Sequence, residues 1–239
     1  MQGLHYLKGL RGFTLAEVLI TLGIIGVVAA ITIPSLINIT QGKELEAQYK
    51  KAYSTLSQAV LRMNAEQGYI ATWNSYSPCS TEFANVFNKY FVLYTNCGKS
   101  GCVSSLEKDE EGKDLGLKGY KSYTGRSSIA AAWFDDGQFI SSDGTFVAIN
   151  HCDQKNKITI GIDINGMKKH PNKIGHDFFL FQIQEDGKLL PMGAEGTTSN
   201  GWSGNPENFC SKTSTGGSNG FTCAYKASYD KDFFKNLPK

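Results

Sequence analysis

FTLAEVLITLGIIGVVAAITI, residues 13–33, is the stretch on which the reading of this chain turns. Apart from Phe13 it holds only Thr, Gly, Ala, large aliphatics and a single charge, Glu17. Coiled as an α-helix it would span roughly 31 Å at about 1.5 Å per residue, close to the hydrocarbon thickness of a bilayer. Ahead of it lies MQGLHYLKGLRG, with Lys8 and Arg11 and no acid. The positive-inside rule leaves that leader cytoplasmic and sends the bulk of the chain outward. The competing reading is a cleaved secretory signal, since a small-residue triplet occurs at Val28, Ala29 and Ala30. The apolar region of such a signal is normally about 7–15 residues, shorter than this one. Discarding the segment would also make Glu17 a costly charge without purpose, because a carboxylate at membrane depth is unfavourable unless neutralised or paired.

The remainder of the composition narrows the class. The 239 residues are 41% hydrophobic, 19% charged and 12% aromatic, enough for one globular domain plus a segment of different character. A mean hydropathy of −0.27 excludes a multi-span membrane protein, and the aromatic content excludes a wholly disordered chain. Lys and Arg number 24 against 22 Asp and Glu. Overall basicity therefore gives no footprint for nucleic acid, and none is expected as a partner.

The run Gly12-Phe13-Thr14-Leu15-Ala16-Glu17-Val18, with a basic leader before it and a long apolar helix after it, resembles the type IV prepilin signature. Type IV pilins and the pseudopilins of type II secretion share that signature, and the likeness covers about residues 1–68. The resemblance implies that prepilin peptidase cuts between Gly12 and Phe13 and that the new terminus, Phe13, is N-methylated. It implies that Glu17 and Pro34 stand where the family often carries those residue types. It also implies partners: the peptidase, other pilin or pseudopilin subunits, an inner-membrane assembly platform and the lipid bilayer. The expected location is the bacterial inner membrane, single-pass, and then a periplasmic or surface filament.

The chemistry of the segment is consistent with that resemblance on its own terms. A cut before Phe13 creates an α-amine, whose ordinary pKa is about 7.7–8.0, at the end of an apolar helix. That cation needs an anion. In a staggered bundle of such helices the amine of one subunit meets the Glu17 carboxylate of another only in the correct axial register, which specifies assembly more than it adds stability.

Past the span, Pro34 is expected to kink or loosen the helix, with Gly42 a second weak point. Leu45, Tyr49, Ala52, Tyr53, Leu56, Val60 and Met63 recur at three- and four-residue steps, which predicts an amphipathic half ending near Gly68. The organisation expected is a leader at 1–12, an interrupted helix at 13–67 with its transmembrane part at 13–36, and a head at 68–239. In the head, Phe83, Val86, Phe87, Tyr90, Phe91 and Tyr94 have helical spacing after Ser80 and Thr81. The charged stretch 107–121 reads as exposed loop. Strands are expected at 130–134, 139–141, 145–150, 157–164, 177–184 and 188–192, with hairpin-type turns at Asp136-Gly137, Asp143-Gly144, Asn165-Gly166 and Asp186-Gly187. Alternation of Ile158, Ile160, Ile162 and Ile164 with Thr159, Gly161 and Asp163 predicts a half-buried strand. Residues 193–220 hold seven Gly among Ser, Thr and Asn and read as a long loop without a core. The fold class is α+β: a long helix packed on an antiparallel sheet with stapled loops.

Six cysteines, Cys79, Cys97, Cys102, Cys152, Cys210 and Cys223, all follow the span, and their even number argues for disulfides in an oxidising compartment. Fifteen pairings are possible; spacing favours Cys97–Cys102 and Cys210–Cys223, leaving Cys79–Cys152. Enzyme readings are weak. Gly98-Lys99-Ser100 ends like a P-loop, but Leu93 stands where its first Gly belongs. His151-Cys152-Asp153 is not a nucleophile–base pair when neighbours on a strand end point to opposite sides. His170 and His176 with Asp177 fit no zinc spacing. Calcium is the better metal candidate, with Asp163, Asn165 and Asp177 as oxygen ligands and Asn172 as a further one. The functional expectation is a filament subunit of a type IV pilus or a type II secretion pseudopilus, not an enzyme; the alternative is a minor pilin acting as an adhesin or DNA-uptake binding protein.

Overall fold

A computed structural model describes residues 12–103, 106–108, 114–117, 119–130, 133–152, 157–198 and 205–238. Most of the expected leader and Asp153 lie outside the described residues, as do parts of the expected loops at 107–121 and 193–220. The chain divides into two compact units, Met1–Gln41 and Gly42–Lys239.

Helix α1 (Leu15–Gln67) contains Pro34 within it, and no break in the helix is seen there. In the first unit, Leu15–Pro34 is long and apolar enough to cross a membrane, and none of it is buried within the protein. In the second unit the helix turns amphipathic. Tyr49, Ala52, Leu56, Ala59, Val60 and Met63 are buried, and Leu45 and Tyr53 pack partly against the same core. Helix α1 stops where Gly68 adopts φ +74°, its N–H bonding the Asn64 carbonyl, a conformation that costs glycine little.

The apolar stripe lies on a six-stranded antiparallel sheet. Its strands are β1 (Leu93–Asn96), β4 (Gln138–Ser141), β5 (Phe146–Asn150), β6 (Ile158–Asp163), β7 (Phe178–Ile183) and β8 (Leu189–Pro191), in the order β1-β4-β5-β6-β7-β8. Strands β2 (Leu106–Lys108) and β3 (Asp114–Leu117) form a separate two-stranded sheet. Val147, Ile149, the four alternating isoleucines, Phe179 and Phe181 face the helix. Tyr53 stacks on Phe181 with ring centroids 5.3 Å apart, and Tyr49 meets Phe179 edge-on at 4.8 Å. Each fully buried phenylalanine contributes about 1.5–3 kcal/mol to holding sheet and helix together.

Several local expectations are corrected. Strand β6 is buried on both faces. Its polar face is covered by a second core in which Phe146, Ala148, Phe178 and Leu180 meet Tyr120, Ile129, Phe134, Ile174, Met192 and Phe221. Gly161 is needed there because a Cβ would lie 2.5 Å from the Phe178 ring. The aromatic run after Thr81 is not one helix. Helix α2 (Glu82–Phe87) and a 3-10 turn end by Tyr90, and Tyr94 sits on β1, 79% exposed. The 107–121 stretch is not wholly loop, since it carries part of β2 and all of β3, and Tyr120 is buried. No strand covers 133–134, the described part of the strand expected at 130–134.

Of the expected turns, Asp143-Gly144 joins β4 to β5 and Asp186-Gly187 joins β7 to β8. Asp136 is instead buried with its Oδ2 accepting the His151 N–H at 2.8 Å, and Asn165-Gly166 opens a longer excursion between β6 and β7. Helix α3 (Cys223–Tyr229) and a 3-10 turn at Phe233–Lys235 close the core, the Tyr49 hydroxyl donating to the Ala224 carbonyl at 2.6 Å. The cysteines pair as Cys79–Cys152, Cys97–Cys102 and Cys210–Cys223.

Candidate functional site

The start of α1 is built by two short side chains. Thr14 caps the helix: its Oγ1 accepts the Glu17 N–H at 3.2 Å, while Glu17 Oε2 accepts from the Thr14 N–H at 2.9 Å and the Thr14 hydroxyl at 2.8 Å. The first helical backbone bond, Val18 N–H to the Thr14 carbonyl, follows at 3.2 Å. This reciprocal arrangement is a capping box, and its signal, Thr-x-x-Glu before an apolar run, stands in the sequence at residues 14–17. Thr14 is thus the residue that reasoning from charge alone leaves out. Oε1 of Glu17 takes no part in the box, and no hydrogen bond to it occurs among the described residues.

Gly12 and Phe13 precede the helix, and the Phe13 ring is 89% exposed. A Cβ built on Gly12 meets nothing within 4 Å, so the packing of this chain does not demand a glycine there. The same holds for Gly23 and Gly26 inside the apolar helix, where glycine costs about 1 kcal/mol relative to alanine.

Other sequence-selected residues fall elsewhere. His151 is buried, its Nε2 lying 2.8 Å from the Trp73 carbonyl, and Cys152 is bonded to Cys79. His170 is exposed. His176 is buried with Nε2 against the Tyr123 carbonyl at 2.9 Å, and burial pushes its imidazole down to about 4. Among the described residues, no three His, Cys, Asp or Glu side chains gather to hold a metal.

Asp163, Asn165 and Asp177 do come together. Asp163 Oδ1 accepts the N–H groups of Asn165 and Gly166 at 3.2 and 2.8 Å, and its Oδ2 accepts the Tyr120 hydroxyl at 2.6 Å. Asp177 accepts the N–H of Asn172 on Oδ2 and of Lys173 on Oδ1, both at 2.8 Å, with Asn165 Nδ2 3.5 Å from Oδ2. Burial, then the nearby Asp177 charge, pushes the Asp163 carboxyl up to about 7; burial pushes Asp177 up to about 6.

The family described as the prokaryotic N-terminal methylation motif matches residues 8–33. No curated protein and no solved structure matches the chain. The chain therefore carries a type IV pilin-like prepilin signature, joined to an α+β head. The motif supports a pilin- or pseudopilin-type substrate of prepilin peptidase. Motif and apolar helix together fit a membrane-anchored, single-pass protein.

Proposed function

We propose that the chain is a filament subunit, cut between Gly12 and Phe13 and N-methylated on Phe13, which polymerises through its apolar helix into a type IV pilus or a type II secretion pseudopilus. Residues 1–12 stay on the cytoplasmic side of the inner membrane and the head, 68–239, lies beyond it. The apolar surface serves two states, facing acyl chains before assembly and neighbouring helices after it. Glycines that this chain's own packing does not require support such close helix–helix approach.

The observation that carries the reading is Glu17: one carboxylate in the otherwise uncharged, unburied span Leu15–Pro34, with Oε2 committed to Thr14 and Oε1 free for the α-amine of a neighbouring subunit. Mass analysis of the chain co-expressed with a prepilin peptidase tests the processing. The expected product starts at Phe13 and carries one added methyl, whereas Gly12→Leu stays uncut; a product starting elsewhere removes the assignment. Glu17→Leu is expected to enter the membrane yet stay out of filaments, and normal incorporation would remove the pairing argument.

A further inference from the structure

The two edges of the six-stranded sheet differ in how they are finished. Strand β8 is closed. Its last residue, Pro191, has no N–H to offer, and the Tyr53 hydroxyl donates to the Leu189 carbonyl at 3.1 Å. Just beyond it, the Tyr225 N–H of α3 bonds the Met192 carbonyl at 3.0 Å. Strand β1 has none of these devices. It pairs only with β4, and its residues Leu93-Tyr94-Thr95-Asn96 include no proline and are all exposed. Among the described residues, no backbone group of these four bonds to anything outside that pairing. One neighbour satisfies only one side of a strand, so the outer row of N–H and C=O groups on β1 stays open to a further strand.

The side chains on this edge are apolar where an open edge ordinarily carries charge. Val92, Leu93 and Tyr94 are consecutive and 75%, 37% and 79% exposed. The register against β4 shifts between Leu93 and Thr95, a bulge of the kind that re-aims a side chain. A hollow of about 330 Å³ opens beside Val92, walled by Ala52, Phe91 and Ile162. A second, of about 380 Å³, opens beside Tyr94, walled by Ile140, Met167, Lys168 and Lys169. The first borders the core under α1 and the second borders the core on the opposite face, so the edge has a hollow on each face of the sheet. Lys168 and Lys169 are exposed and, among the described residues, form no ion pair. Asp143, the acid that lines the same hollow, is already held by Lys51 at 2.7 Å.

We propose that β1 is a docking edge for an extended, acidic segment of another protein, which adds to the sheet as one more strand. Main-chain bonds to the open row hold the segment, and its side chains, alternating between the two faces, give the selectivity. An apolar side chain meets Val92 and the hollow beside it, and an Asp or Glu meets Lys168 and Lys169. Charge complementarity decides the occupant. The β1 strand of a second copy carries no acid, so it would leave both lysines unanswered. The edge lies wholly within the second unit, Gly42–Lys239, and needs neither cleavage of the N-terminus nor polymerisation.

Fluorescence anisotropy of a dye-labelled peptide of alternating valine and glutamate, titrated with the full chain in detergent micelles, tests it. Saturable binding that weakens with added salt is expected. The same peptide with alternate backbone nitrogens methylated should lose binding, because the open row then finds no donors. A peptide with lysine in place of glutamate should also fail to bind. Lys168→Glu with Lys169→Glu, at two exposed positions, should reverse the preference so that the lysine peptide binds and the glutamate peptide does not. Val92→Glu with Tyr94→Glu, also exposed, should abolish binding of the glutamate peptide. Absence of saturable binding, equal binding of the methylated peptide, or an unreversed preference in the lysine variant overturns the proposal. Self-association of the chain that the peptide competes away overturns it as well, since a second copy would then be the occupant.

Discussion

Thr14 and Glu17 show how much two side chains settle. A helix start leaves its first N–H groups without partners, and here the Thr14 hydroxyl and the Glu17 carboxylate each satisfy one. Thr14→Ala should loosen the first turn by about 0.5–2 kcal/mol, read as faster amide hydrogen exchange at Glu17 and Val18 in micelles. Thr14→Ser should restore protection. Unchanged exchange in Thr14→Ala would mean that the box contributes nothing. Glu17 was legible in the sequence as an anomalous charge, because one carboxylate in an apolar run has no ordinary explanation. Its partnership with Thr14 was equally legible as Thr-x-x-Glu, but only to a reading that counts backbone donors as well as charges.

Among elements, the contact of α1 with the C-terminal turn sets two effects against each other. A Cβ on Gly42 would lie 2.8 Å from the Phe234 carbonyl oxygen, a backbone atom with little freedom to retreat. Gly42→Ala gains about 1 kcal/mol of helix propensity. The clash displaces a turn whose Phe234 ring packs on Tyr49 and Phe179, and that loss should win, lowering the melting temperature. A rise would show that the turn yields easily. Leu56→Ala, at a fully buried position of the same helix, should cost about 2–5 kcal/mol in thermal unfolding.

The amphipathic helix and strands β4 to β8 were readable because their periodicities are strong. Helix α3, seven residues long without a side-chain cap bond, has too few turns for a periodic signal. Strand β1 follows helically spaced aromatics and exposes its side chains, so no alternation marks it. Thr159 and Asp163 look wet in sequence; the Gln182 amide bonding Thr159 at 3.0 Å and the Tyr120 hydroxyl on Asp163 are what make their burial tolerable. Local pattern cannot report a cover supplied by distant loops.

At the scale of the head as a whole, cross-links and charge act on the folded state in different ways. The Cys79–Cys152 bond spans a sequence separation of 73, against 5 for Cys97–Cys102. On the loop-entropy account these separations correspond to about 4 and about 2 kcal/mol. Cys79→Ser with Cys152→Ser should therefore lower the melting temperature more than Cys97→Ser with Cys102→Ser; the reverse order would show that chain entropy is not the governing term. Lys51 of α1 pairs with Asp143 of the β4–β5 turn at 2.7 Å. Partial burial opposes ionisation of Asp143, but hydrogen bonds from Lys51, Ser141 and Thr145 outweigh it and hold its carboxyl well below the ordinary value.

A carboxyl depressed in the folded state stabilises above its unfolded pKa, and that contribution fades as pH falls below about 4. The partners are substantially exposed, so the effect is about 0.2–1 kcal/mol. Lys51→Met should flatten the acid limb of the stability curve between about pH 4 and 2 by that amount, and an unaltered limb would dismiss the pair.

The position of the helix cap has one more consequence. Because the hydrogen-bonded ladder begins only after Thr14, the amide linkage joining Gly12 to Phe13 belongs to no regular structure, and hydrolysing it would sacrifice none of the bonds that hold the rod together. A cut there would exchange a neutral peptide for a cationic end without opening any rung of the ladder among the described residues, a change of electrical character at the tip of the helix.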